Sequence, residues 1–161
     1  MRHLVVIIMF FSASAVAQSA RPSVEEFFNK ATFENMDEVC REFYAENVRF
    51  KDPLGSIEGI EPLIKYYKNL YENVTSIKFE AVNTFDKGED QVFVWRMHLR
   101  HKRLSDGELV TLDGTSHLRY VDGKVVYHRD YFDAGAMLYE NIPILGRVIR
   151  WIKENAHSGQ E

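Results

Sequence analysis

Between Ser23 and Tyr44 the apolar residues recur at helical spacing in two blocks: Val24, Phe27, Phe28 and Ala31, then Val39, Cys40, Phe43 and Tyr44. The polar break around Glu34-Asn35-Met36 divides them, so the pattern predicts two short helices. Val48-Arg49-Phe50-Lys51-Asp52 then alternates and is cut off by Pro53, whose ring drives Asp52 into an extended conformation. A short strand ending at Asp52 follows. Pro62 opens a third helix running to Tyr71, with Leu63, Tyr66, Tyr67 and Leu70 on its apolar stripe.

From there to Asp133 the period changes to two. The turn sequences Asp86-Lys87-Gly88, Ser105-Asp106-Gly107 and Asp122-Gly123 divide the stretch into four long strands in a meander. Alternation assigns an interior face to Phe93, Trp95, Met97 and Leu99, to Val110, Leu112, Gly114, Ser116, Leu118 and Tyr120, and to Val126, His128, Asp130 and Phe132. The opposite face carries Arg96, His98, His117, Arg119, Tyr127, Arg129 and Tyr131. That mixture is too polar for a core and too aromatic for bare solvent, which suits a wet homodimer interface; a solvated face is the plainer alternative. Helices first and a curved antiparallel sheet afterwards make an α+β architecture in which the helices close one face of the sheet.

Beyond Ala134 the helical period returns, breaks near Pro143 and continues through Leu145, Val148, Ile149 and Ile152, flanked by Arg147, Arg150 and Lys153. Such a stripe can lie on a membrane surface. Docking over the helix and sheet layers, or on a partner subunit, suits its short length better. At the other end, Arg2, the apolar run Leu4 to Phe11 and the closing Ala15-Val16-Ala17 read as a secretory signal peptide over residues 1–17, cleaved after Ala17. The run falls short of the ~20 residues that a spanning helix needs. A periplasmic or secreted location is the expectation.

Composition changes this picture little. A chain of 161 residues with 45% hydrophobic and 27% charged residues is sized for one globular domain. Taking Arg2 from the 20 basic residues leaves 19 against 24 acidic ones, a net charge of −5 that steers nothing toward nucleic acid. A single cysteine, Cys40, cannot form an internal disulfide and reads as a small buried hydrophobe.

Two places carry polar groups where the pattern calls for apolar ones. Asp52 sits at a strand end beside Phe50; in an apolar cavity its carboxylate would be a stronger base than in water, because burial penalises the charged form. The plain alternative is an Asp-Pro turn. His128 and Asp130 point to the interior face, where they either act with Asp52 on a ligand or form a structural hydrogen-bond network. In the functional case His128 is the acid or base, and Asp130 its orienter or the acid.

Phe50-Lys51-Asp52-Pro53-Leu54-Gly55, preceded by Phe43-Tyr44-Ala45-Glu46-Asn47-Val48, resembles the ketosteroid isomerase stretch in which the aspartate before proline is the general base. The resemblance implies Asp52 as base. It also implies two oxyanion donors, yet Phe28 stands where the donor tyrosine would be and Ser116, in Thr115-Ser116-His117-Leu118-Arg119-Tyr120, where the second would be. One such donor is typically worth a few kcal/mol, so their loss argues against steroid isomerisation by that mechanism. The stretch from His128 to Glu140, with Pro143, Leu145-Gly146 and Ile149-Arg150-Trp151, resembles a bacterial SnoaL-like group of the nuclear transport factor 2 superfamily. That likeness runs from about Val24 to Lys153. It implies a domain over residues 24–155 with a cone-shaped fold: a curved antiparallel sheet, N-terminal helices on its concave face and an extra C-terminal helix. In SnoaL, a polyketide cyclase, an interior aspartate on the sheet is the acid/base, and Asp130 is its positional match. These relatives look cytosolic, unlike a chain with an export signal.

The expectation is therefore a cone whose cavity binds a small hydrophobic molecule such as a lipid, steroid or polyketide fragment, with acid/base chemistry by Asp52, His128 and Asp130. Tyr44, Tyr66, Trp95, Met97, Ser116 and Tyr120 are the expected ligand contacts. The competing expectation is a ligand carrier or dimeric scaffold without catalysis. No cofactor is expected, and no metal: His98, His101 and His117 lack the spacing of a zinc site. Asn73-Val74-Thr75 fits a glycosylation acceptor, a pattern frequent by chance.

Overall fold

The computed structural model describes residues 21–137 together with 147, 148, 151, 152 and 155. The expected signal peptide lies outside the described residues, as does most of the C-terminal helix. Helix α1 (Val24–Lys30) starts where the Ser23 hydroxyl accepts the Glu26 amide, at 3.2 Å. Between α1 and α2 (Met36–Phe43), Thr32 and Asn35 exchange bonds, each amide donating to the other's side-chain oxygen. This closed loop is the break seen in the apolar pattern. Strand β1 (Tyr44–Asp52), the short β2 (Gly55–Glu58) and helix α3 (Ile60–Tyr71) come next. The long strands β3 (Val74–Lys87), β4 (Asp90–His101), β5 (Val110–Val121) and β6 (Lys124–Phe132) lead to a short α4 (Ala134–Met137). No described helix is long and apolar enough to cross a membrane.

The fold is α+β as expected: six strands form one curved, open sheet in the order β2-β1-β6-β5-β4-β3. The meander of four long strands is present, and Asp122 and Gly123 both take positive φ (50° and 77°), as a two-residue turn between twisted strands requires. The sheet is mixed rather than purely antiparallel, because β1 lies parallel to β6. Strand β2 adds a hairpin to β1 that the sequence pattern does not reveal, and α3 begins at Ile60, ahead of Pro62. Val125, not Val126, faces the interior beside His128: the β5–β6 register slips between Arg119 and Tyr120, and a bulge turns Val126 away.

The helices cover the concave face. Asn29 on α1 both donates to and accepts from the Phe79 backbone of β3, at 2.9 and 2.8 Å. Lys124 on β6 donates to the carbonyls of Arg41 and Glu42 at the negative end of α2. Met36, Leu63, Leu118, Val48 and Val125 are wholly enclosed between these layers. Truncating such a residue to alanine typically costs 2–5 kcal/mol for the larger side chains. The convex face is laced within the chain: Arg96 grips Asp113 with two bonds, Asp90 takes both His117 and Arg119, and Arg49 and Arg129 lie over the rings of Tyr127 and Tyr131.

Candidate functional site

Parallel pairing of β1 with β6 builds the site. Phe50 stands opposite His128 in the register, and carrying that register two residues further sets Asp52 beside Asp130 on the same face. Both carboxylates line a cavity of about 340 Å³ walled by Phe50, Phe79, Trp95, Met97 and Leu112. A volume in this range suits a small ligand.

Asp52 is largely occupied by its own turn. Its Oδ1 accepts the amides of Leu54 (2.8 Å) and Gly55 (2.9 Å), and Tyr66 on α3 donates its hydroxyl to Oδ2. Burial, then the hydrogen bond to Asp52 and the charges of Asp52 and Asp130, hold the Tyr66 phenol well above the usual tyrosine value. Tyr66 therefore stays protonated while facing both carboxylates.

Asp130 is held differently, by side chains. Ser116, its cross-strand partner, donates to Oδ1 at 2.5 Å, and His128 Nε2 reaches the same oxygen at 2.8 Å. The Trp95 indole N–H in turn donates to the Ser116 hydroxyl at 2.9 Å. That bond requires the indole to lie over Gly114, where any Cβ would overlap the ring; glycine is what lets the tryptophan reach across. On its other side, His128 Nδ1 meets the Tyr44 hydroxyl at 2.7 Å, which meets Tyr67 at 2.9 Å. Because an ionised carboxylate only accepts, the network assigns the histidine proton to Nε2, leaving Nδ1 to accept from Tyr44. Two donor chains converge on one oxygen: Tyr67 to Tyr44 to His128, and Trp95 to Ser116. Burial pushes the phenols of Tyr44 and Tyr67 far up, so both remain donors.

Every buried side-chain nitrogen and oxygen among the described residues has a partner, and the bonds recorded for Asp130 all fall on Oδ1. Its other oxygen, Oδ2, is the one presented to the cavity.

Of the residues expected at the site, Asp52, Asp130, Tyr66, Trp95 and Met97 line the cavity. His128 is fully enclosed behind Asp130, packed against the rings of Phe28, Tyr44 and Phe50, so it positions the carboxylate and does not face the cavity. Tyr44 and Ser116 are links in the network. Tyr120 lies at the other end of the interior face, where α1 and the residues before it cover the sheet; its hydroxyl bonds Gln91 and the Pro22 carbonyl. Sequence reasoning missed the rim of His101, Arg103 and Leu104, which follows the end of β4 and carries no periodic signal. Among the described residues no three histidine, cysteine, aspartate or glutamate side chains gather as a metal site would need.

A curved, open mixed sheet capped by three helices is the cone-shaped NTF2-like fold. The chain belongs to the SnoaL-like domain family, whose model matches residues 24–128. Among solved structures it is similar to a protein with a ketosteroid isomerase-like fold from Catenulispora acidiphila DSM 44928, in complex with trimethylamine: TM-score 0.63, 14% identity, 76% of this chain and 94% of that one. It is also similar to a candidate SnoaL-like polyketide cyclase from Jannaschia sp. CCS1, with TM-score 0.58, 19% identity and coverage of 67% and 81%. An NTF2-like protein of unknown function from Exiguobacterium sp. 255-15 gives TM-score 0.56, 20% identity and coverage of 68% and 94%. At these identities the likeness is one of fold. No curated protein matches the chain.

Proposed function

We propose that the cavity binds a small, mainly apolar molecule and that Asp130 moves a proton on it. One observation carries this reading: Oδ1 of Asp130 is fixed by Ser116 and His128, while Oδ2 is left free inside an apolar cavity. A base must be held in place with an oxygen to spare. Proton removal from carbon beside a carbonyl would place the proton on Oδ2 and negative charge on the carbonyl oxygen. The Tyr66 phenol on the same cavity wall keeps its proton and would turn its single O–H from Asp52 to that charge. A pocket of this shape suits isomerisation, cyclisation or hydration without a cofactor.

The test is deuterium uptake from heavy water into a panel of apolar ketones, followed by mass spectrometry. Uptake that depends on the protein and disappears in Asp130→Asn, with ligand binding retained, supports the reading. Uptake unchanged in that variant sinks it. A second reading, a carrier without chemistry, is favoured by the engagement of Asp52 by its own turn amides; it gains if ligands bind and no variant alters any exchange.

A further inference from the structure

Charge is unevenly placed along this cavity. The deep end holds Asp52 and Asp130, both nearly enclosed, and no cation lines it there. Exposed Arg103 lies on the rim, next to half-buried His101 and Leu104. The other arginines between residues 21 and 137 are engaged. Arg21, Arg41, Arg96, Arg100 and Arg119 pair with carboxylates, and Arg49 and Arg129 cover tyrosine rings. Among the described residues Arg103 has neither kind of partner, and its backbone amide donates to His101 Nδ1 at 3.1 Å. That bond leaves Nε2 of the His101 ring as a donor, and burial together with the charge of Arg103 keeps the imidazole neutral. Glu72 is the acidic group on the same rim, with its carboxylate 3.4 Å from the Asn73 amide.

We infer that this cavity selects an amphiphile with an anionic head group and seats it head outward: the head on Arg103 at the rim, the apolar body past Leu104 and Leu99, the neutral end toward Asp130. The inference rests on the cavity being a ligand site, as proposed above. Repulsion does half the selecting. A ligand entering head first would bring its charge against two desolvated carboxylates, where like charges are strongly disfavoured, whereas at the rim the same charge meets an unpaired guanidinium. A guanidinium also matches a carboxylate head with two parallel bonds.

Calorimetry on the full chain, with decanoate, 1-decanol and decylammonium below their micellar concentrations, separates the possibilities. Decanoate is expected to bind roughly three- to ten-fold more tightly than decanol, the range of an exposed to partly desolvated ion pair. The preference shrinks as salt is raised. Arg103→Gln, on an exposed side chain, should bring the decanoate-to-decanol affinity ratio to about one, and Arg103→Lys should restore part of it. Equal binding of decanoate and decanol, a ratio unmoved by Arg103→Gln, or preference for decylammonium overturns the head-outward inference and leaves the ligand site standing. If none of the three probes binds, the ligand site itself fails and the inference with it.

Discussion

Asp52 and Asp130 are the same residue type on neighbouring strands of one cavity, yet the protein holds them by opposite means. Asp52 is gripped at a strand end by the amides of the two residues after Pro53, so its carboxylate shapes a turn and both oxygens have partners. Asp130 stands mid-strand, where backbone groups belong to the sheet, and only side chains can hold it: Ser116 and His128 on one oxygen, nothing on the other. On the proposed reading, a place on the cavity wall is thus not what separates a working carboxylate from a structural one. The distinguishing feature is how many of its lone pairs the fold has already used.

The largest effect expected from this contrast is on proton exchange. Asp130→Asn should lower it at least about a hundred-fold, the low end for a general acid or base, and Asp52→Asn by less than ten-fold; equal losses would erase the distinction. Next comes stability. His128→Ala empties an enclosed site and strands the Tyr44 hydroxyl, so urea unfolding should show a loss of about 3 kcal/mol or more. Gly114→Ala, which pushes the Trp95 indole off Ser116, should cost about 1–3 kcal/mol and shift the tryptophan fluorescence. Asp52→Ala, which frees two amides at a partly wet turn, should cost about 1–2 kcal/mol by the same urea assay.

The smallest effect at neutral pH is an alkaline one that grows with pH. Burial pushes the Cys40 thiol up to about 12, and burial likewise raises Tyr44, Tyr67 and Tyr66. The folded chain keeps protons that the unfolded chain gives up, so this stability is whole below pH ~9 and is lost as pH rises beyond it. Each proton so retained steepens the fall by about 1.4 kcal/mol per pH unit. Unfolding measured between pH 8 and 11 should be flat and then decline, with Cys40→Ala delaying the onset. A decline already present near pH 8 would contradict the enclosure of these groups.

Much of this was legible in the residue pattern, for identifiable reasons. Helices α1 to α3 and strands β3 to β6 follow from local period and turn residues, which act over a few positions. Asp52 and Asp130 stood out because a charged residue interrupts an otherwise apolar face. The parallel partnership of β1 and β6 was not legible, since pairing between strands far apart in sequence leaves no mark on either. Adjacent valines at 125 and 126 gave no hint of which one the bulge would turn inward. Alternation aimed His128 at the interior correctly, but it could not tell that Asp130 would stand between the imidazole and the cavity. Arg103 lies in a polar segment after β4 with no periodic signal to place it on the cavity.

The parallel seam between residues 44–52 and 124–132 also joins segments that leave the ribosome far apart in time. Hairpins β3 to β6 can close from neighbouring sequence, whereas β1 must wait, its inner edge unpaired, until the last strand has been synthesised. Long-range closure of this kind is slow, and a strand edge left open meanwhile can pair with another chain. Asp52 cannot meet Asp130 before β6 has been synthesised, and a nascent chain that ends before this strand lacks the Asp130 and Phe132 wall of the cavity.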